Sequence, residues 1–430
     1  MQPEDVESLL ERANRLLEEG KPDESLRCLD AVDASTLDEE QHVEWGSLRA
    51  WALSELGRDQ EALETLDPLL EAYPRSARLL GTLGVVLSNT EDLDDAREAL
   101  EEAVELAPED EVSLANLALV YEKLRDYDRA IELYDQALGL GADIDWVLLR
   151  KSNVLADAGR YGEAKVTLKR YLSLVPDDAS QWIALAILHS DDEEFEDAFA
   201  CYRQAERLDP EAASLRLNWG VTAVRAHALP EARVQLRHLQ RIEPRTTRPW
   251  LLRAFILEEE GHAAGARAIY ERLLTRTRFT DHAELCYTLE MAMDFFARQG
   301  LRARCERLLV RAYAANACTV ELCEAYREAT GDHVDRAYWF SLTIEADYRP
   351  GLTEIRPPGR RTGERYKRFR RAYQIVARNH DEAVGFVLDF ARRMGETRPV
   401  IREFVGEEPI EDAHTGLYEV DAESYLLADE

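Results

Sequence analysis

Seven alanines, Ala62, Ala96, Ala130, Ala164, Ala198, Ala232 and Ala266, stand 34 residues apart without a slip. A second series, Ala50, Gly84, Ala118, Ser152, Ala186, Gly220 and Ala254, keeps the same step and is uniformly small. Prolines Pro74, Pro108, Pro176, Pro210 and Pro244 form a third series, with Ala142 in its one vacancy. Four residues after each alanine of the first series comes a large side chain: Leu66, Leu100, Tyr134, Leu168, Tyr202, Leu236 and Tyr270. Three such coincidences do not arise by chance, and a fixed period of this length marks stacked supersecondary units.

The physical reading is two antiparallel helices per period. The small series lets the paired helices approach, the bulky series fills the gap to the next pair, and proline ends the second helix by removing a backbone donor. Gly57, Gly159 and Gly261 precede their alanines by five residues, where a short inter-helix turn is expected.

This pattern resembles the tetratricopeptide repeat, with its small residue in the first helix, Ala-x3-aromatic/Leu in the second and closing Pro. The resemblance covers seven repeats over residues 42–278 and implies an all-α, right-handed superhelical solenoid. About ten helix pairs are expected in all, seven of them regular, followed by a small α+β module at the C-terminal end. Because the register has no insertion, one continuous superhelix is expected across the seven repeats.

Upstream, residues 1–41 read as a capping helix pair, displaced by three residues and followed by an acidic loop. Downstream, residues 279–346 read as degenerate helix pairs, the last formed by Val320 to Thr330 and Val334 to Ile344. Residues 347–364, with Pro350, Pro357, Pro358, Gly351, Gly359 and Gly363, read as a linker. Residues 365–430 read as a βαββ-like module, with a strand near Tyr373 to Ala377, a helix over His380 to Met394 and strands at Val400 to Val405 and Leu417 to Val420.

Composition narrows the function classes. No basic or long apolar stretch follows Met1, and no segment reaches the length of a membrane span, so a cytoplasmic chain with no membrane partner is expected. Cys28, Cys201, Cys286, Cys305, Cys318 and Cys323 include no C-x-x-C pair and read as reduced thiols. Phosphate-binding, dinucleotide, zinc-protease and nucleophile-elbow motifs are missing, and repeats occupy most of the chain, so an enzyme is not expected and neither is a cofactor or metal. His189 stands where other repeats carry Leu53, Leu87, Tyr121, Leu155 and Leu257, and packing inside its helix pair accounts for it better than ligation does.

The net charge of -32 disfavours coating of nucleic acid. Residues 1–110 carry 30 Asp/Glu against 9 Lys/Arg, whereas residues 349–378 carry 10 Lys/Arg against Glu354 and Glu364. Within the latter, Arg360, Arg361, Arg365, Lys367, Arg368, Arg370 and Arg371 interleave with Tyr366 and Phe369. They are candidates for docking acidic protein, including a second copy of this chain, or, as the alternative, nucleic acid.

In the family, the first helix of each pair lines a concave groove that receives helical or extended peptides. The resemblance therefore implies a protein-binding scaffold or adaptor, with a helper subunit of an enzyme encoded elsewhere as another reading. It places Trp51, Val85, Leu119, Asn153, Ile187, Val221 and Phe255 in the groove, with a second series that includes Ile183, Leu217 and Leu251. The Lys and Asn that grip carboxylates in one familiar variant are matched only by Asn153, since Leu149 replaces the Lys, and that function is disfavoured.

Overall fold

The computed structural model describes residues 6–90, 92–140, 145–275, 279, 281–315, 317–331, 333–347, 366–394, 397–420 and 424–427. They fall into two compact units, Met1–Pro210 and Glu211–Glu430.

The first unit begins with α1 (Val6–Glu18) and α2 (Pro22–Asp30). Five further pairs follow: α3 (Glu39–Glu55) with α4 (Asp59–Ala72), α5 (Ala77–Asn89) with α6 (Leu93–Leu106), and α7 (Glu111–Lys123) with α8 (Tyr127–Gly139). The last two are α9 (Asp145–Asp157) with α10 (Tyr161–Leu174), and α11 (Ala179–Asp191) with α12 (Phe195–Leu208).

Side-chain caps fix where the first helix of a pair starts. Ser76, Asp110 and Asp178 accept backbone N–H bonds at the heads of α5, α7 and α11, and Asp38 with Gln41 forms a reciprocal capping box on α3. The turn inside a pair is equally regular. Gly57, Arg125, Gly159 and Glu193, on the 34-residue step, are left-handed, with φ of 69°, 62°, 73° and 60°. The next N–H then folds back onto the helix, as from Arg58 to Leu53 O at 2.9 Å and from Glu194 to His189 O at 2.8 Å. Glycine takes this conformation freely, while Arg125 and Glu193 give up about 1 kcal/mol to the same turn.

Packing follows the small-residue logic. Ala62, Ala96, Ala130, Ala164 and Ala198 are fully buried, and a Cβ added to Gly84 would collide with Leu100 of its partner helix. Tyr134 and Tyr202 are wholly buried in the bulky series. Trp45 Nε1 donates to Leu29 O at 3.1 Å and ties the N-terminal pair to α3.

The second unit continues the period with α13 (Ala213–Arg225), α14 (Leu229–Ile242), α15 (Arg248–Glu259) and α16 (Ala263–Leu274). Then come α17 (His282–Arg298), α18 (Arg302–Ala314) and α19 (Val320–Thr330). The chain turns to β1 (His333–Asp347), β2 (Tyr366–Ala377), α20 (His380–Arg393), β3 (Thr397–His414), β4 (Gly416–Val420) and β5 (Ser424–Leu427). The sheet is antiparallel in the order β3-β1-β2-β4, with β5 also on β2.

The expected helix over Val334 to Ile344 is therefore a strand. Its alternation explains why: Phe340, Leu342, Ile344 and Ala346 point inward and are buried, a period of two that no helix can present on one face. The sheet-bearing part begins at His333 rather than at residue 365, and the expected linker lies almost wholly outside the described residues. Nor is this part separate from the helices before it, because one hydrophobic core runs from Leu251 through Phe296, Tyr313 and Tyr326 to Phe340, Tyr373 and Phe390. Tyr313 of α18 packs edge-on against Phe390 of α20 at 5.7 Å, and its hydroxyl lies 3.3 Å from that of Tyr373.

Candidate functional site

The two groove series inferred from the sequence part company in the structure. Trp51, Val85, Leu119 and Ile187 of the first unit are half-buried, as are Val221 and Phe255 of the second, and Asn153 is exposed. Ile183, Leu217 and Leu251 are instead core residues, at 7%, 7% and 0% exposure, and offer nothing to a partner. They precede the first series by four positions, one helical turn away and rotated toward the neighbouring pair, so their apolar surface is spent on packing.

Two further residues join the accessible face. Val112 and Trp146 are 53% and 38% exposed. They stand seven positions before Leu119 and Asn153, two turns up the same faces of α7 and α9, with half-buried Leu149 below Trp146. The sequence reading missed them because other repeats carry Glu44, Arg78 and Ser180 at this position, so no apolar series announces them.

Polar bonds between successive first helices hold this face. Asn89 Nδ2 of α5 donates to Ser54 Oγ of α3 at 3.0 Å, and Lys123 Nζ of α7 donates to Ser88 O and Oγ of α5 at 2.7 and 2.8 Å. Arg150 of α9 reaches Glu122 of α7 at 2.5 Å, and Glu122 also accepts from the buried Tyr134 hydroxyl at 3.0 Å. Burial raises the Glu122 carboxyl above its ordinary value, with Arg150 opposing that shift, and burial, followed by the nearby Glu122 carboxylate, drives the Tyr134 hydroxyl upward. The stripe thus lies on helices cross-linked to one another rather than on mobile loops.

His189 is 3% exposed, as the sequence reading expected of a packed residue. Its Nδ1 lies 2.5 Å from Glu194 Oε2, and Glu194 and Asp197 could each bring an oxygen near enough to share an ion with it. Lys165 Nζ already occupies that charge, donating to the same Glu194 oxygen at 2.8 Å and also to Asp192. The cluster is an ion-pair network between α10 and the α11–α12 turn, in which the Lys165 ammonium already takes the place of a cation beside Glu194 and Asp192. A cavity of about 630 Å³ at the head of α3 is lined by Glu39, Glu40 and Glu44 together with Arg75 and Arg78, and Arg78 lies 3.8 Å from Glu44. Four of the six cysteines, Cys28, Cys201, Cys305 and Cys323, are buried, and burial pushes the Cys201 thiol up to about 11.

Models of the tetratricopeptide repeat match residues 10–77 and 183–242, 75–141, and 122–188. Together they run without a gap from residue 10 to 242, more than half of the 430-residue chain. The chain belongs to the tetratricopeptide-repeat family.

Among solved structures, this tetratricopeptide-repeat chain is similar to YrrB, a TPR protein with an unusual peptide-binding site, at 19% identity and a TM-score of 0.40, covering 43% of this chain and 95% of that one. A tetratricopeptide repeat protein from Parabacteroides merdae ATCC 43184 is similar at 15% identity and a TM-score of 0.43, covering 58% and 98%. MamA from Desulfovibrio magneticus RS-1 is similar at 23% identity and a TM-score of 0.36, covering 39% and 93%. No curated protein matches the chain. Among the described residues no helix is long and apolar enough to cross a membrane.

The basic docking segment needs a correction. Arg360, Arg361 and Arg365 lie outside the described residues, while Lys367, Arg368 and Arg370 lie on β2. Arg371 is 3% exposed, its guanidinium 4.2 Å from the centre of the Tyr313 ring, so it belongs to the tetratricopeptide-repeat chain's second core and not to a docking surface. Alternation along β2 turns Arg371 inward together with Tyr373 and Ile375.

Proposed function

We propose that the chain is a non-catalytic interaction scaffold whose half-exposed stripe of Trp51, Val85, Leu119 and Ile187, widened by Val112 and Trp146, receives an amphipathic helix or an extended apolar segment of a partner protein. The observation that carries this reading is the separation of the two series. One is core at Ile183, Leu217 and Leu251, while its neighbour one turn away stays half open at every step except Asn153, where an amide replaces the apolar side chain. Covering a Val- or Leu-sized side chain is worth roughly 1.5–3 kcal/mol when burial is complete, so three or four anchors suffice for a specific complex.

The charge on this face suits such a ligand. Helix α5 carries Arg78 as its sole charged residue, and the Glu122 carboxylate of α7 is neutralised by Arg150. An apolar segment can therefore approach without stripping water from unpaired charges. The test is the double variant Leu119→Asp and Ile187→Asp, with partner capture measured beside helicity by circular dichroism. Retained folding with lost partners is expected, and retained partners on a folded variant would remove the groove reading.

The nucleic-acid alternative weakens with the burial of Arg371, which leaves its basic run without one of its seven cations.

A further inference from the structure

The second helices of the first unit carry a charge pattern that the 34-residue period makes easy to trace. Helices α4 and α6 hold eleven carboxylates between them and a single base, Arg97. Along their exposed faces run Asp67 and Glu71 on α4, then Glu98, Glu102 and Glu105 on α6. None of these five has an ion-pair partner among the described residues.

Three and four pairs further on, these register positions change sign. Where α4 has Asp67, α10 has Lys169 and α12 has Arg203, and where α6 has Glu105, α12 has Arg207. All three cations are exposed, and Arg170 stands beside Lys169. The carboxylates Glu163, Glu196 and Asp197 lie in the first turns of these helices, with Glu163 held by Arg160 at 2.8 Å, while Glu206 in the last turn of α12 is half-buried and already engaged. One turn before Lys169 and Arg170 on α10, Val166 is 69% exposed, the most open large apolar residue among the described residues. An apolar residue framed by charge is the composition of an interface centre rather than of a merely solvated helix.

We propose that the α10–α12 face docks on the α4–α6 face of a second copy of this chain, head to tail. The occupant follows from complementarity: the two faces have opposite sign and the same helical spacing, because both are written on one period. They cannot satisfy each other within a chain. Helices α7, α8 and α9 stand between them, and an attraction falls away beyond a Debye length of roughly 8 Å at physiological salt. Acid face against acid face is repelled, which leaves the head-to-tail arrangement and makes the contact heterologous, so it propagates into a ring or an open string. This surface lies on the second helices and is separate from the peptide-binding stripe on the first.

The test is association measured by sedimentation equilibrium of the full chain at low and high ionic strength, with two charge-reversed variants. One replaces Lys169, Arg170, Arg203 and Arg207 by Glu, and the other replaces Glu71, Glu98, Glu102 and Glu105 by Lys. The wild type is expected to exceed its monomer mass of 49.1 kDa at low salt and to return to it at high salt. Each variant alone stays monomeric, and an equimolar mixture of the two associates again, because one now presents acid where the other presents base. A wild type that stays monomeric at low salt overturns the proposal by itself, as does either folded variant associating like the wild type.

Discussion

Glu194 Oε2 lies 2.5 Å from His189 Nδ1 and accepts from Lys165 Nζ at 2.8 Å, so one carboxylate oxygen joins a buried imidazole to a buried ammonium. The hydrogen bond from Lys165 first, and His189 second, hold the Glu194 carboxyl below its ordinary value. A depressed carboxylate contributes stability that is present above its unfolded value, near 4.5, and lost as pH falls through the lower folded value. Glu194→Gln is accordingly expected to lower the melting temperature at neutral pH, with the deficit closing in acid. Melting curves from pH 7 down to about 3 check this, and a deficit that does not change with pH would count against the ion-pair reading.

Ala164 of α10 is fully buried in a core cluster with Val154 and Leu155 of α9. Ala164→Trp is expected to destabilise the first unit by about 3 kcal/mol through overpacking. Ala164→Ser, nearly the same size, should cost far less. Urea denaturation of both variants distinguishes a steric position from a merely apolar one.

Arg371 provides the corresponding test in the second unit. Its guanidinium covers the Tyr313 ring, and Tyr313 in turn meets Phe390 and Tyr373. Arg371→Glu is expected to destabilise that unit by about 3 kcal/mol, because it buries a charge of the wrong sign beside an aromatic face. Were Arg371 a surface docking residue, the same change would leave the melting temperature where it was.

Much of this architecture was legible in the sequence because a helix pair needs small residues at fixed contacts, and spacing alone reveals those. The turn at Gly57 and Gly159 was readable for the same reason, whereas Arg125 and Glu193 take the same left-handed turn without announcing it. The strand from His333 to Asp347 follows directly on a helix, where the repeat period leads to a further helix, and only the alternation of Phe340, Leu342, Ile344 and Ala346 marks it as a strand.

At the candidate site the limit is geometric. Ile183 and Ile187 are the same residue type one turn apart on α11, yet one is core and the other half open. Composition cannot separate them, since only the position of the neighbouring pair decides which side of the helix meets solvent. Val112 and Trp146 could have been found by stepping seven residues back from Leu119 and Asn153, but only with the groove face already fixed.

The central claim, that this face binds apolar polypeptide, is tested most directly by selecting a random peptide display library on the full-length chain and on the folded Leu119→Asp, Ile187→Asp variant. The expected result is enrichment of peptides with regularly spaced apolar residues on the wild type and their loss on the variant. Peptides that bind both proteins equally, or no enrichment on the wild type, would contradict the account.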